Sequence, residues 1–333
     1  MAIIEVQANQ VTSSIDISSI VTDWQTSLNK RVKAQQLAAS TAKGYARGAR
    51  KFIDWCEAAD IKVMDYDTIL DWQGSLLKAG KAPASVNAWM AGVKALFAWA
   101  EESRGLAYNP TKRIKGASRK GAGKRHKRES LTDAEIRLLL SIPDASTDIG
   151  KRDLAILSLM AYTGARTVEV HRADISNLRT EKGRLVLYIT GKGHNEADDI
   201  IVLINPRLQD AMLAWQAARK AILAKKGKVA GEDYIPDPSL FLSLSDRSYG
   251  KRLSLRAIRG LVKKYYGLAG IKGEFKTTHS LRHTAITSAI THGAPLQKVQ
   301  AMARHSSPET TMVYFHEIDR IEEPAEQFVD YGE

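Results

Sequence analysis

The chain has 333 residues, which at about 150 residues per domain suggests two domains, and its net charge of +12 predicts a polyanionic partner such as nucleic acid. With 44% hydrophobic and 26% charged residues, the composition is that of a globular protein with a sizeable core. A single cysteine, no apolar run of about 18 residues and no signal-like start exclude a disulfide scaffold, a cysteine-based zinc finger and a membrane protein, so we expect a soluble intracellular protein.

The first half of the chain has the apolar periodicity of a small helical bundle. The segment before residue 16 carries no strong signal, and residues 16–110 predict four amphipathic helices that together form one domain. Five of the six tryptophans lie in this domain, which indicates a core of bulky side chains. Trp24 and Leu28 indicate the first helix, and Ser40 or Thr41 can cap the second. Asp67 and Thr68 precede the third, shorter helix, and Pro83 and Ser85 start the fourth.

A strongly basic segment follows, and we take residues 111–129 as a linker. Residues 112–128 contain nine lysines or arginines, no acid and three glycines. A solvated charge run is one interpretation, and a tether that follows a DNA phosphate backbone is the other. The residues predicted to contact DNA are Lys112, Arg113, Lys115, Arg119, Lys120, Lys124, Arg125, Lys127 and Arg128.

Residues 130–316 predict a second domain of mixed structure. Ser130 and Asp133 resemble a capping box at its first helix, and residues 152–162 predict an apolar helix that ends near Gly164. The β-rich segments 184–190 and 200–204 predict a hairpin with a polar connection. Helices are predicted within residues 208–223, 255–266, 281–292, 295–305 and 308–318.

Four motifs in this domain carry candidate chemistry. Arg166 and Glu169 are three residues apart on a short helix; the plain alternative is a surface ion pair. His279 and Arg282 also share a helix face, and although His279 and His283 have zinc-ligand spacing, no further ligand motif accompanies them. His305 precedes a helix start made by Ser307, Pro308 and Glu309, and Tyr314 lies within that helix.

Together these residue types suit a phosphodiester substrate better than a small neutral one. Two arginine forks match phosphate oxygens and can offset the charge of a pentavalent phosphorane without a metal. A histidine can move a proton near neutral pH, and a phenol such as Tyr314 can attack phosphorus. Lys192, between two glycines in the hairpin connection, can protonate the leaving 5′ oxygen. The chemistry predicted is transesterification of DNA with no cofactor and no metal.

These motifs resemble those of the tyrosine recombinases, the phage-integrase type of site-specific recombinase. The matching stretches are TGARTVEV, TGKG, HSLRHT and RHSSPETTMVYFH, in the order typical of that family, and the resemblance covers nearly the whole chain. The spacings of 26 residues from His279 to His305 and 9 from His305 to Tyr314 are also typical. The implied fold is mainly α: an N-terminal helical core-binding domain (SAM-like), then an α+β catalytic domain with a small β-hairpin or sheet.

The resemblance also implies residue roles. Arg166 and Arg282 would clamp the scissile phosphate, with Glu169 positioning Arg166. Lys192 would be the general acid, His279 an acid/base group, His305 a donor to a non-bridging oxygen, and Tyr314 the nucleophile that forms a 3′-phosphotyrosine. Implied partners are double-stranded DNA with an inverted-repeat site and three further copies of the chain, a tetramer that exchanges strands through a Holliday junction. Integration, excision, inversion and resolution all fit, as does the cytoplasm of a prokaryotic, phage or mobile-element host.

The chain departs from the family pattern at two places. Arg304 stands where the family usually has glycine, and its side chain either crowds the site or adds a phosphate contact. After Lys192 the hairpin carries Glu196, Asp198 and Asp199 instead of a second basic pair. The segment before residue 16 is too short for an arm-site domain, which predicts the simple two-domain type.

The acidic tail, residues 317–333, has seven acids against one arginine. We expect it to dock on a basic surface of a neighbouring protomer; a solvated terminus is the alternative. Two other functions stay open at this point: relaxation of supercoils in the manner of a type IB topoisomerase, and a catalytically silent DNA-binding regulator on the same fold.

Overall fold

The chain folds into two compact units, residues 1–123 and 124–333, in a computed structural model that describes residues 3–8, 11–118, 130–190, 199–231, 234–273 and 276–315. The chain is mostly helical with a small sheet in the second unit, so the predicted fold class is confirmed. Among the helices of these ranges, none combines the length and the apolar character needed to span a membrane.

The first unit contains the four predicted helices and a small sheet that the sequence did not predict. Strand β1 pairs antiparallel with β2, and β1 also pairs parallel with the short strand β3. The elements in chain order are β1 (Ile3–Ala8), β2 (Val11–Asp16), α1 (Ile17–Lys33), α2 (Ala39–Ala58), β3 (Val63–Met64), α3 (Tyr66–Lys78) and α4 (Pro83–Arg104).

Two of the predicted helix starts in this unit are wrong by two or three residues. Helix α2 begins at Ala39, before Ser40 and Thr41, and its N-cap residue Ala38 makes no side-chain cap. Helix α3 is capped by Asp65, whose carboxylate accepts a hydrogen bond from the Thr68 N–H at 2.8 Å. Helix α4 begins at Pro83, as predicted, because proline needs no N–H partner in a first turn.

The core of the bundle is aromatic, and two glycines allow its two longest helices to touch. Phe52 lies edge-on to Trp72 and Phe97, with ring centroids 5.0 and 6.2 Å apart. A Cβ on Gly92 would lie 2.3 Å from the Tyr45 carbonyl oxygen, and one on Gly48 would meet α4 equally closely. Helices α2 and α4 therefore depend on glycine where they cross.

The glycine contact predicts a large effect for Gly92→Ala. The added methyl group meets backbone, which cannot move aside, so α2 and α4 must separate; we expect a loss of about 1–3 kcal/mol in unfolding free energy. Chemical denaturation measures it. Gly44→Ala, on the same helix pair but with open space around its Cβ, is the control and should not destabilise the protein. Equal midpoints for Gly92→Ala and wild type would contradict this packing.

The first part of the predicted linker packs on the bundle. Ile114 is buried, the Asn87 side chain brackets Ala117 with two hydrogen bonds of 2.6 and 3.1 Å, and Lys94 Nζ donates to the Ile114 carbonyl at 2.6 Å. Residues 112–118 thus belong structurally to the first unit, with Lys112 paired to Glu101. Residues 119–129 lie outside the described ranges.

The second unit alternates helices with one antiparallel sheet of order β4-β5-β6. The hairpin of β5 and β6 is confirmed, with Ile189 opposite Asp199, whereas β4 was not predicted. The elements are α5 (Asp133–Ser141), α6 (Asp148–Thr163), α7 (Thr167–Arg172), β4 (Leu178–Glu181), β5 (Arg184–Ile189), β6 (Asp199–Val202), α8 (Pro206–Ala230), α9 (Leu255–Leu268), α10 (Thr278–Thr291), α11 (Leu296–Ala303) and α12 (Pro308–Phe315).

The capping box at α5 lies two residues later than predicted. Thr132, not Ser130, caps the helix: its hydroxyl accepts from the Glu135 N–H at 3.2 Å, and the Glu135 carboxylate accepts from the Thr132 N–H at 2.9 Å. Glutamate reaches back to the cap residue from the third helical position, which the pair Thr132 and Glu135 fits.

The described residues of the second unit form two separate apolar cores. The larger is built on α6, α8, α9 and the sheet. The smaller one joins the last three helices and consists of Ile286, Ile290, Val299, Ala303 and Tyr314. The residues singled out by sequence in α10 to α12 therefore sit on or beside a core of their own, which α10 connects to α6.

Candidate functional site

The site begins at the turn between α6 and α7. Gly164 ends α6 in the left-handed conformation, with φ 63°, which glycine adopts without strain. Arg166 is the residue that precedes α7, and Glu169 lies in the first turn of that helix. The turn directs the Gly164 carbonyl, the Arg166 guanidinium and the Glu169 carboxylate toward one place.

Glu169 is a buried carboxylate held by two arginines, so the alternative of a surface ion pair is wrong. Its oxygens accept from the Arg166 N–H at 2.7 Å, from Arg166 Nη1 at 2.8 Å and from Arg304 Nη2 at 2.9 Å. Burial raises the pKa of the Glu169 carboxyl, but Arg304 and then Arg166 outweigh that and hold it below its usual value. The carboxylate is therefore charged at neutral pH.

Arg282 is a buried arginine on α10 that bonds backbone carbonyls. Nη1 donates to the Gly164 carbonyl at 2.9 Å, and Nη2 donates to the Ala303 carbonyl. Burial, followed by the positive charges of Arg166 and Arg304, lowers the pKa of this guanidinium to about 10. It remains charged at neutral pH.

The corner that follows α11 brings the two predicted arginines side by side. Arg166 Nη2 donates to the Ala303 carbonyl at 3.3 Å and to the Arg304 carbonyl at 3.0 Å, so Arg166 and Arg282 share the Ala303 oxygen as acceptor. Two guanidinium groups on one oxygen form a site that attracts a further anion. A phosphate oxygen that replaced this carbonyl would meet donors from both arginines.

Tyr314 lies in the small core, 6% exposed, between two histidine rings. Its ring centroid is 4.8 Å from that of His283 and 6.1 Å from that of His305. His305 is also held by two hydrogen bonds: its Nδ1 lies 2.9 Å from Thr311 Oγ1, and its backbone N–H donates to the Gln300 carbonyl at 3.2 Å. His305 is thus bonded to Thr311 of α12, the helix that carries Tyr314.

Sequence reasoning missed the contribution of His283. In the sequence, His283 stands out only by its zinc-ligand spacing from His279, whereas in the structure its buried imidazole packs on Tyr314. Its position next to Arg282 on α10 was the available signal. In the ranges that the structure describes, no group of three or more His, Cys, Asp or Glu side chains is arranged to hold a metal ion.

The remaining predicted residues are placed less centrally or lie outside the described ranges. His279 is exposed in the first turn of α10, where its N–H donates to the Thr277 hydroxyl at 3.3 Å. Lys192, Glu196 and Asp198 fall in residues 191–198, and the acidic tail, residues 317–333, falls in residues 316–333; neither segment is described. Asp199 is the first residue of β6.

A helical fold that sets a tyrosine and a histidine near two converging arginines is that of the tyrosine recombinases, enzymes that transfer DNA strands. The chain belongs to the phage integrase family, whose family model matches residues 129–320.

Two curated relatives illustrate the similarity along most of the chain. The tyrosine recombinase XerD of Xanthomonas axonopodis pv. citri is 28% identical over 283 residues, which cover 84% of this chain and 88% of the relative. The tyrosine recombinase XerC of Corynebacterium glutamicum is 27% identical over 290 residues, with 84% and 82% covered.

Solved structures share the fold. The XerH site-specific recombinase bound to a palindromic difH substrate, in a post-cleavage complex, has a TM-score of 0.69 and 19% identity, with 91% of this chain and 84% of that chain covered. The lambda integrase tetramer bound to a Holliday junction has a TM-score of 0.62 and 15% identity, with 91% and 78% covered.

Proposed function

We propose that this protein is a site-specific DNA recombinase that cuts and rejoins strands through a covalent link between DNA and Tyr314. The observation that carries the proposal is the convergence of Arg166 and Arg282 on the Ala303 carbonyl oxygen, in the same unit as a tyrosine flanked by two histidines. Two fixed guanidinium groups supply the donors that a phosphorane needs as its charge grows. The family assignment supports the same reading.

In the proposed cleavage step, the Tyr314 oxygen attacks the scissile phosphorus. A bond from phosphorus to the phenolic oxygen forms and the bond to the 5′ oxygen breaks, so a 3′-phosphotyrosine and a 5′ hydroxyl result. The phenolic proton passes to His279 as base, and the leaving oxygen takes a proton from Lys192 as acid. One diester is exchanged for another, so the step needs no ATP and reverses when another 5′ hydroxyl attacks.

Arg166 and Arg282 are the proposed phosphate clamp, with His305 as a further donor to a non-bridging oxygen. In the DNA-free structure the two arginines donate to the Ala303 and Arg304 carbonyls, and Tyr314 is buried. Binding of the phosphate would exchange carbonyl acceptors for a charged one, since hydrogen bonds to an ionised oxygen are stronger. The exchange would loosen the corner after α11 and expose Tyr314 on the adjacent helix.

DNA binding is proposed for the basic surfaces of the first unit and of the linker. Helix α2 presents four exposed basic residues before its first acid, and the predicted linker adds nine. Phosphate contacts of this kind fix register and orientation on a duplex without reading its sequence. The α2 residues are Lys43, Arg47, Arg50 and Lys51.

Assembly is proposed by comparison with the solved relatives. One is a tetramer on a Holliday junction and another is bound to a palindromic substrate. By the same logic we propose that four copies of this chain act on two duplexes with inverted-repeat sites, and that the acidic tail docks on a neighbouring copy. Deletion of residues 321–333 is expected to weaken assembly of two duplexes more than binding to one.

The test uses a duplex selected from a randomised library by its retention on the protein, then rebuilt with single nicks at successive positions. A nick beside the cleavage position lets the short fragment diffuse away and traps the covalent product. With EDTA present, we expect a protein–DNA band on a denaturing gel, and exchange between two such sites on a plasmid. Relaxation of the plasmid without exchange would show a topoisomerase, and retention without any covalent band would show a binding protein; either result overturns the proposal.

A further inference from the structure

Arg304 occupies a backbone position that disfavours it. The residue follows α11 with φ 53° and ψ 49°, in the left-handed region where glycine is the favoured residue. A residue with a long side chain remains in such a conformation when its contacts offset the strain. The contacts of the guanidinium therefore show what the side chain does there.

The Arg304 side chain turns inward to Glu169 and is only 6% exposed. Nη2 lies 2.9 Å from Glu169 Oε2 and Nε lies 3.3 Å from Oε1, a two-pronged ion pair. Nη1 donates to the Met302 carbonyl at 2.6 Å, and Nη2 also lies 3.4 Å from the Gly164 carbonyl. These bonds direct the guanidinium to the carboxylate and to backbone, so the sequence-based alternatives of crowding the site or touching phosphate give way to a third role.

The charge balance of the cluster depends on this contact. Arg166, Arg282 and Arg304 face the single carboxylate of Glu169, which leaves two net positive charges. Without Arg304, the charge of Glu169 would be balanced by Arg166 alone, and the cluster would keep one net positive charge, that of Arg282. A phosphodiester carries one negative charge and the phosphorane formed from it carries two, so the difference matters most in the transition state.

We propose that Arg304 is a positioning residue of the phosphate clamp, which neutralises Glu169 and thereby leaves Arg166 and Arg282 their full double charge for the reacting phosphate. The inference rests on the proposed cleavage function and deepens it. Glu169 holds Arg166 in place, but its buried negative charge would repel the substrate phosphate. Arg304 neutralises that charge. Arg304 itself need not touch DNA.

The experiment is a double-mutant cycle on the single-turnover rate of covalent complex formation, with saturating duplex. We expect Arg304→Met to lower the rate by about tenfold or more in the wild-type background and by less than about threefold in Glu169→Gln, where no charge is left to neutralise. Arg304→Lys keeps the charge and should restore much of the rate. Arg172→Met removes an exposed arginine from the same helix as Glu169 and is the control, with an expected rate like that of wild type.

The outcomes separate this inference from the function on which it rests. No covalent product from wild type would remove the proposed function itself. With an active wild type, equal losses in both backgrounds would show that Arg304 acts independently of Glu169, and an undiminished rate for Arg304→Met would show that it does not act at all; either result overturns the inference. If Arg304→Met does not fold, Arg304→Gly replaces it, because glycine fits the backbone conformation at this position.

Discussion

Tyr314→Phe is expected to bind DNA as wild type does and to form no covalent complex. Removal of the nucleophile leaves only the binding and clamp contributions, so we expect the rate of covalent complex formation to fall by more than about 10⁴-fold. Denaturing gels of a nicked duplex measure the covalent product, and gel retardation of the same samples measures binding. A normal retarded band with no covalent band is the expected pair of results.

The substitution is a fair test because it preserves the packing of the small core. The aromatic ring that contacts His283 and His305 stays, and only the hydroxyl is lost. Tyr249→Phe is the matched control: Tyr249 is an exposed tyrosine far along the chain from α12, and its variant should cleave normally. A covalent band from Tyr314→Phe would assign the nucleophile to another residue.

Arg282→Lys is expected to lower the cleavage rate by about 10²–10³-fold, the usual effect of losing one preorganised donor to a developing oxyanion. Lysine is a point charge and cannot bridge two acceptors as the guanidinium bridges the Gly164 and Ala303 carbonyls. A lysine can replace at most one of these two donors, and the other carbonyl keeps only a longer hydrogen bond, from Arg166 at 3.3 Å or from Arg304 at 3.4 Å, so the melting temperature should fall as well.

The pH dependence of the Arg282→Lys rate shows whether the variant is slow because it loses positive charge or because it loses the planar donor geometry of the guanidinium. Burial, Arg166 and Arg304 lower the pKa of the guanidinium to about 10, and the same surroundings act on a lysine amine, which starts from a lower pKa. The amine then loses its proton as the pH rises above neutral, so the variant's rate should fall relative to the wild-type rate as the pH rises. Arg259→Lys, at an exposed site on α9, is the control. Parallel profiles for Arg282→Lys and wild type would contradict the electrostatic account.

Periodicity in the sequence predicted most of the helices and one hairpin, because long amphipathic stripes repeat over several turns. It missed β1, β2, β3 and β4, which are two to six residues long and carry no strong apolar alternation. The predicted N-cap residue was wrong where several residues that can cap a helix lie close together, as Ser130 and Thr132 do. The sequence does not show which of them precedes the first helical residue. The close crossing of α2 and α4 at Gly48 and Gly92 is likewise a tertiary property.

Sequence motifs singled out Arg166, Glu169, Arg282 and Tyr314, but they did not predict the contacts that these residues make. The spacing of Arg166 and Glu169 indicated their pairing, but it gave no sign that Glu169 also binds Arg304, which is 135 residues away in the chain. The Gly164 and Ala303 carbonyls that receive the arginines are backbone groups, which no side-chain motif reveals. The sequence marked His283 only by its four-residue spacing from His279, and its contact with the Tyr314 ring is a tertiary property.

The central claim is that Tyr314 itself becomes joined to DNA, and peptide mapping of the covalent complex tests it most directly. After nuclease and trypsin digestion, cleavage following Arg304 and Arg320 releases residues 305–320, a peptide with a single tyrosine. We predict that mass spectrometry finds this peptide carrying a nucleotide attached through its 3′ phosphate to Tyr314. A nucleotide on any other peptide, or the unmodified peptide as the sole form in a purified covalent complex, would contradict the account.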